Sequence, residues 1–470
     1  MSEELAGLSL AAAAAGIASR ELSPVELTQA ALDRIQALDP RLNAFITVSG
    51  ESALAAARAA EGAIAAGYHL GPLHGIPLAL KDLIATRGER TTGGSRILAD
   101  HVPDEDATVT ARLRRAGAIF VGKLNMHEFA YGVTTNNPHY GPARNPWNLD
   151  RSPGGSSGGS GAAVAARLCQ GALGTDTGCS VRLPAAYNGI SGLRPSIGRV
   201  SNHGVGTLAW TLDTVGPMCR TAEDCALVLG AIAGHDARDR QTLAAPVPDY
   251  RDELRHGLDG VRVAVIEDFS LAGLHPDVAA CAARALDDLR AGGAVVREVA
   301  MRDLEPSISA LLTIDIAEPS AYHAEWLRTR AGEYGDDVRT LLEAGELYLA
   351  THYIQAQRYR TLLRDQLLGV LRDAEAIVTP TVPFTAPPVE AVEVELPTGE
   401  TLDVIPAVMR YNALPPLGGL PALSLPCGFD GEGLPVGLQV IGRPFDEATV
   451  LRIGHRYQQE TDWHARSPAL

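Results

Sequence analysis

Strands alternating with amphipathic helices are the feature that most constrains this chain. Residues 261–299, VRVAVIEDFSLAGLHPDVAACAARALDDLRAGGAVVREV, read as strand, helix and strand, with Val278, Cys281, Ala282, Leu286 and Leu289 recurring on one helical face. Residues 107–125, ATVTARLRRAGAIFVGKLN, read as a helix, a stop at Gly117 and a strand. Such units bury their apolar faces only against one another, which predicts an α/β fold: a central mixed, largely parallel sheet between helical layers. The N-terminal part is helical in pattern. Ser23 is placed as an N-cap with Pro24 at the first helical position and Glu26 three residues on, and Leu27, Ala30, Ala31 and Ile35 follow at helical spacing. GESALAAARAAEGAIAAG gives a second helix that stops at Gly67. Residues 1–66 are therefore expected as a helical segment packed on the outside of one body, residues 67–470. In that body GIPLALKDLIA predicts an apolar strand, Ile76 to Leu80, with Lys81 where it ends. The stretch from Ser307 to Asp373 is helical and charged, and strands and turns return from Ala376.

Composition limits the function classes. With 470 residues, 46% hydrophobic and 20% charged, the chain has material for a large core. A formal charge of −16 and the lack of a basic stripe with interleaved aromatics argue against a nucleic-acid groove, so no nucleic-acid partner is expected. No charge-free apolar run reaches about 18 residues, so no membrane partner is expected either. The six cysteines form no CxxC pair and the histidines no HExxH, which predicts reduced thiols, no metal and no cofactor. The alanine-rich start carries Glu3 and Glu4 and no positive region, unlike a secretory signal. Together these features predict a cytoplasmic protein.

The stretch SPGGSSGGSG, Ser152 to Gly161, admits three readings. A flexible linker would be flanked by polar, aperiodic sequence, whereas GAAVAARL continues as a buried small-residue helix. A phosphate cradle of the GxxxxGK[ST] type fails because no lysine follows. The third reading is a turn that brings backbone and serine hydroxyls close to a reacting group. Downstream, GTDTGCSVRLP places small residues up to Ser180, and consecutive N–H groups in such a turn can converge on an oxyanion. There is no GxSxG elbow to support a Ser-His-Asp triad. The other available base for a serine is a lysine kept neutral by burial, and Lys81 is the best-placed candidate. On residue types alone, this Ser–Lys pairing stays one reading among several.

Taken in order, GIPLALKD, SPGGSSGGSGAAVAA, GTDTGCSVRLPAAYNGISGLRPSIGRVS and DTVGPMCRTAED resemble the amidase signature family. VTPTVPFTAPP and GGLPALSLPCGFDGEGLPVGLQVIGRPFDE extend the likeness over nearly the whole chain. The resemblance implies the amidase signature fold and a Ser–cis-Ser–Lys triad. Its lysine falls on Lys81, its bridging serine, with a cis peptide, on Ser156, and its nucleophile on Ser180. It further implies an oxyanion hole of backbone N–H groups from Thr177, Gly178, Cys179 and Ser180. The implied activity is cleavage of a linear amide C–N bond through an acyl-Ser180 intermediate, without a cofactor. Hydrolysis of carbamates or urea derivatives is one alternative; the glutaminase subunit of a tRNA-dependent amidotransferase is another.

The text from Glu318 to Leu363 resembles free-standing bacterial amidases more and lacks SSNLARYDG-like sequence, so the expected partner is a small-molecule amide or carbamate, with a homodimer possible. Asp176 and Arg182 are expected to pin the nucleophile turn from both sides. Met126, His127 and Phe129 are expected to line the acyl pocket. Cys179 departs from the family, which has glycine there. A positive φ at that position would strain a cysteine, and its thiol would either narrow the pocket or pack behind the turn.

Overall fold

Alternate residues of the strands feed two separate apolar layers, as a sheet covered on both faces requires. The computed structural model describes residues 2–267 and 269–470. Its sheet has eleven strands: β1 (Phe45–Val48), β2 (Pro77–Lys81), β3 (Ile119–Leu124), β4 (Gly171–Asp176), β5 (Ser191–Arg194), β6 (Thr214–Cys219), β7 (Arg262–Ile266), β8 (Val295–Val299), β9 (Ala376–Pro380), β10 (Ala422–Phe429) and β11 (Pro435–Gly442). Their spatial order is β1-β3-β2-β4-β6-β5-β10-β11-β9-β7-β8. In β2, Leu78 and Leu80 point into the layer containing the helix Leu10–Ser19 and the helix Ala222–Ile232. Ala79 points into the opposite layer with the helix Gly158–Ala165. Strand β7 divides in the same way, Val263 and Val265 to one side and Ala264 and Ile266 to the other.

The mixed sheet between helical layers is as the sequence predicts, but its parallel share is smaller. Parallel pairing is confined to β3-β2-β4 at one end and β9-β7-β8 at the other. Every pairing between these blocks is antiparallel. The reason is connection length: β10 and β11 are joined by the tight turn at Asp430–Gly433, and a parallel neighbour would need a long crossover. The first 66 residues also differ from a purely helical segment. Between the helices Pro24–Leu42 and Gly50–Ala65 lies β1, which pairs antiparallel with β3 and forms one edge of the sheet. The Ser23 cap forms as expected, its hydroxyl accepting from the N–H groups of Val25 and Glu26.

Candidate active site

Lys81 closes β2, and the two-residue period of the strand puts it on the face of Ala79, beneath the helix Gly158–Ala165. The turn entering that helix carries Ser156, after a cis Gly155–Ser156 peptide. Two glycines make this turn possible. Gly154 has φ +75°, and a Cβ on Gly155 would lie 2.7 Å from the Thr134 amide nitrogen. The Lys81 amine is fully buried and donates to Ser156 Oγ at 2.7 Å and Thr175 Oγ1 at 2.8 Å. Burial lowers its pKa from 10.5 to about 7, with the negative charges of Asp176 and Asp213 opposing the shift. A lysine in this state is neutral at mildly alkaline pH and can accept a proton. Ser157 ties the turn to β4: its hydroxyl donates to Thr175 O and accepts from Thr175 N–H.

Strand β4 ends at Asp176, and the next four residues form the turn that holds Ser180. The N–H groups of Gly178, Cys179 and Ser180 donate no hydrogen bond among the described residues. By contrast, the N–H groups of Val181 and Arg182 are both bound to Asp176 Oδ2. Three consecutive unengaged donors beside a serine hydroxyl are the arrangement an oxyanion needs. Ser180 is nearly buried, 6% exposed, and its hydroxyl makes no hydrogen bond among the described residues. The structure thus joins Lys81 to Ser156, places Ser180 in the following turn and leaves the Ser156–Ser180 link open. Thr177 extends this row: its N–H also donates no hydrogen bond among the described residues, while its hydroxyl donates to Asp213 Oδ1 at 2.6 Å.

Asp176 is the anchor of this turn. Arg182 Nη2 and Nε reach its two oxygens at 2.8 and 3.0 Å, and Arg194 Nη1 reaches Oδ1 at 2.9 Å, all three side chains being fully buried. Burial pushes the Asp176 carboxyl up, but Arg182 and Arg194 outweigh it and hold the group well below the usual carboxylate range. Arg182 continues the network to Gln439 Oε1 at 2.7 Å and Gly178 O at 2.6 Å. Asp176→Asn keeps the shape but leaves two buried guanidinium groups without a counter-charge. It should cost about 3–5 kcal/mol in urea unfolding. A loss under about 1 kcal/mol would reject this anchoring role.

Cys179 does not adopt a positive φ, so its cysteine carries no left-handed strain. Its thiol is fully buried in an apolar cluster with Leu183, Tyr187, Leu212 and Leu311, and burial pushes its pKa well up. The side chain packs behind the turn, the second of the two orientations open in the sequence. Cys179→Gly should therefore lower stability by about 2 kcal/mol while leaving the ratio of kcat/KM for small and large amides within about twofold. A tens-fold change in that ratio would return the thiol to the pocket.

The three expected pocket residues take separate places. Phe129 packs against His323, Trp326 and Tyr334 and lines a cavity of about 350 Å³ with Leu83, Val205, Tyr322 and Trp326. Met126 is fully buried against Gly94 and does not line this cavity, because its position continues the apolar core. His127 turns its ring to Asp337, at 2.9 Å, and its backbone N–H donates to Ser156 O at 3.1 Å. It supports the cis turn and does not border the cavity. Sequence reasoning missed Thr175, Arg194 and Gln439. Thr175 lies in the same GTDTG run as Asp176, and Arg194 stands as a lone charge in a strand of small and apolar residues, a legible signal for a buried ion pair. Gln439 reaches Arg182 from 257 residues away, and nothing local marks it.

The sequence model of the family described as Amidase matches residues 26–451. The chain belongs to the amidase signature family. It is accordingly an enzyme of a class that acts on carbon–nitrogen bonds. The A-type subunit of glutamyl-tRNA(Gln) amidotransferase from Methylococcus capsulatus is 44% identical to it, covering 98% of this chain and 98% of the relative. Among solved structures, one described as part of a vestigial protein complex revealing the evolutionary origins of an s-triazine catabolic enzyme overlays with TM-score 0.92. It is 34% identical and covers 96% of this chain and 98% of that one. The corresponding glutamyl-tRNA(Gln) amidotransferase chain from Thermotoga maritima overlays with TM-score 0.80 at 34% identity, covering 100% and 96%. The sequence text around residues 318–363 had suggested free-standing amidases of this family. Full-length identity instead brings the amidotransferase to the front, because that text is a small part of the chain. Among the described residues no helix is long and apolar enough to cross a membrane.

Proposed function

We propose that this protein hydrolyses a carboxamide through an acyl-Ser180 intermediate, with Ser156 and Lys81 carrying the proton. The observation that carries the reading is the fully buried Lys81 amine, hydrogen-bonded to Ser156 and with its pKa lowered to about 7, beside the four unengaged N–H groups of the Ser180 turn. Ser180 Oγ attacks the carbonyl carbon as its proton passes to Ser156 Oγ, whose own proton moves to the neutral Lys81 Nζ. The Ser156–Ser180 contact closes when substrate is bound, as catalytic hydrogen bonds do. The oxyanion is received by N–H groups of the row Thr177, Gly178, Cys179 and Ser180. The C–N bond then breaks, and the proton returns through Ser156 to the departing nitrogen. Water hydrolyses the acyl ester by the same relay in reverse.

The names of the full-length relatives favour L-glutamine as the amide. In that setting the released ammonia passes to a partner protein that handles tRNA, and the formal charge of −16 suits a chain that leaves the nucleic acid to its partner. A free-standing amidase acting on linear amides, carbamates or urea derivatives is the second reading, supported by the overlay on a solved amidase, TM-score 0.87 at 34% identity, above the 0.80 of the amidotransferase chain. Ammonia release from L-glutamine, linear amides, carbamates and urea derivatives by the purified chain separates the two. Glutamine turnover is expected; hydrolysis of a linear amide with glutamine refused would establish the second reading.

A further inference from the structure

Three carboxylates gather beside the nucleophile turn, and two of them are fully engaged. Asp213 accepts from Thr177 Oγ1 and from the N–H groups of Leu208 and Ala209. Glu318 accepts from the N–H and hydroxyl of Thr211 and from the Tyr353 hydroxyl. Asp315 is different. It is 92% buried, 8% exposed, and makes no hydrogen bond and no ion pair among the described residues. The Tyr131 hydroxyl, on a residue 6% exposed, is likewise without a partner. Leaving such groups unpaired costs free energy that packing does not return, so an unpaired couple beside a reactive turn points to a guest.

Position supports this. Asp315 lies one turn beyond Leu311 on the helix Pro306–Arg330, and Leu311 is within 3.5 Å of where a Cβ on Gly178 would sit. Tyr131 belongs to the loop that continues into Val133 and Thr134, which press on Gly155 of the cis turn. The helix of Asp315 thus packs on the nucleophile turn, and the loop of Tyr131 packs on the cis turn. The loop of Tyr131 also lies on the Asp315 helix, since Phe129, two residues before Tyr131, packs against His323 and Trp326. Farther along the same helix face, Tyr322 and Trp326 line the 350 Å³ cavity.

We propose that Asp315 and Tyr131 form a recognition site for a primary ammonium group on the acyl part of the substrate, so that the enzyme selects amides carrying a protonated amine. The charge balance favours a cation over an anion: Asp213 and Glu318 flank Asp315, Arg182 and Arg194 are taken by Asp176, and Arg360 is bound to the carbonyls of Leu417 and Thr211. An ammonium offers three N–H donors, which suits an acceptor-only carboxylate and a phenol oxygen. Burial, with Asp213 and Glu318 near, pushes the Asp315 carboxyl well above its usual range, and a bound cation supplies the charge that ionises it. This inference rests on the acyl-Ser180 reading.

The test uses isosteric pairs in which an ammonium replaces a terminal methyl: 3-aminopropanamide with butanamide, 4-aminobutanamide with pentanamide, and 5-aminopentanamide with hexanamide. The wild type should favour one amino amide over its partner by about tenfold to a hundredfold in kcat/KM, the range of a hydrogen bond to a charged group. Asp315→Asn should bring that ratio within about threefold, and Tyr131→Phe should lower it by a few fold. A folding defect lowers both members of a pair equally and leaves the ratio intact. Ratios near one across the wild-type series, or a wild-type ratio retained in Asp315→Asn, would overturn the proposal. If no amide is turned over and a sulfonyl fluoride forms no Ser180 adduct, the hydrolase reading itself falls and this inference with it.

Discussion

Ser180→Ala should lower turnover by at least about 10⁴-fold while the melting temperature stays within about 2 °C of the parent. The hydroxyl makes no hydrogen bond among the described residues, so its loss leaves no buried partner unsatisfied. The four unengaged N–H groups of the turn remain in the variant, so amide or product binding should persist while acylation stops. Mass spectrometry after treatment with a sulfonyl fluoride should place the adduct on Ser180 in the parent and show none in the variant. An adduct on Cys179, or turnover retained in Ser180→Ala, would reassign the nucleophile. The buried thiol with its raised pKa argues against that outcome.

Replacing Lys81 should be nearly as severe. Lys81→Met should reduce kcat/KM by about 10³-fold or more, because Ser156 then has no base to which it can pass the proton. In the parent, kcat/KM should fall tenfold per pH unit below about 7, as Lys81 takes up a proton, and level off above it. The same shift bears on stability. Between about 7 and 10.5 the unfolded chain holds the Lys81 proton and the folded chain does not, so this group makes stability rise with pH across that window. Lys81→Met should flatten the rise and unfold at a temperature no lower than the parent at pH 7. An acid limb displaced by more than about a unit from 7, or a variant that keeps a tenth of the activity, would remove Lys81 from the relay.

The sequence laid out much of this. The cap at Ser23, the stop at Gly117 and the helix face of Val278, Cys281, Ala282, Leu286 and Leu289 all formed, because helix signals act over a few neighbouring residues. The strand ahead of Lys81 was shifted by one residue, Pro77–Lys81 in place of Ile76–Leu80. The composition of their short runs made Lys81 and the two serine-bearing turns candidates, and the resemblance to the amidase signature family assigned Ser156 and Ser180 within them. The glycines at 154 and 155 record locally a close approach that happens in space. Even the ion pair of Asp176 with Arg182 was legible, since six residues of one turn join them.

Other features had no local record. The strand Phe45–Val48 is four residues long and half-exposed, and only its pairing with β3 makes it a strand. The antiparallel middle of the sheet follows from how short connections return the chain, which apolar periodicity does not encode. Arg194 and Gln439 enter the Asp176 network from other strands, and the burial of Asp315 and Tyr131 without partners follows from packing between segments far apart in sequence. The direction of Cys179 was open in the sequence and became fixed by the apolar cluster behind its turn. Residue type and near-neighbour spacing determined which groups this chain has for chemistry. Long-range packing decided which were desolvated, which were paired and which were left without a partner, because those properties depend on what the rest of the fold places around each side chain.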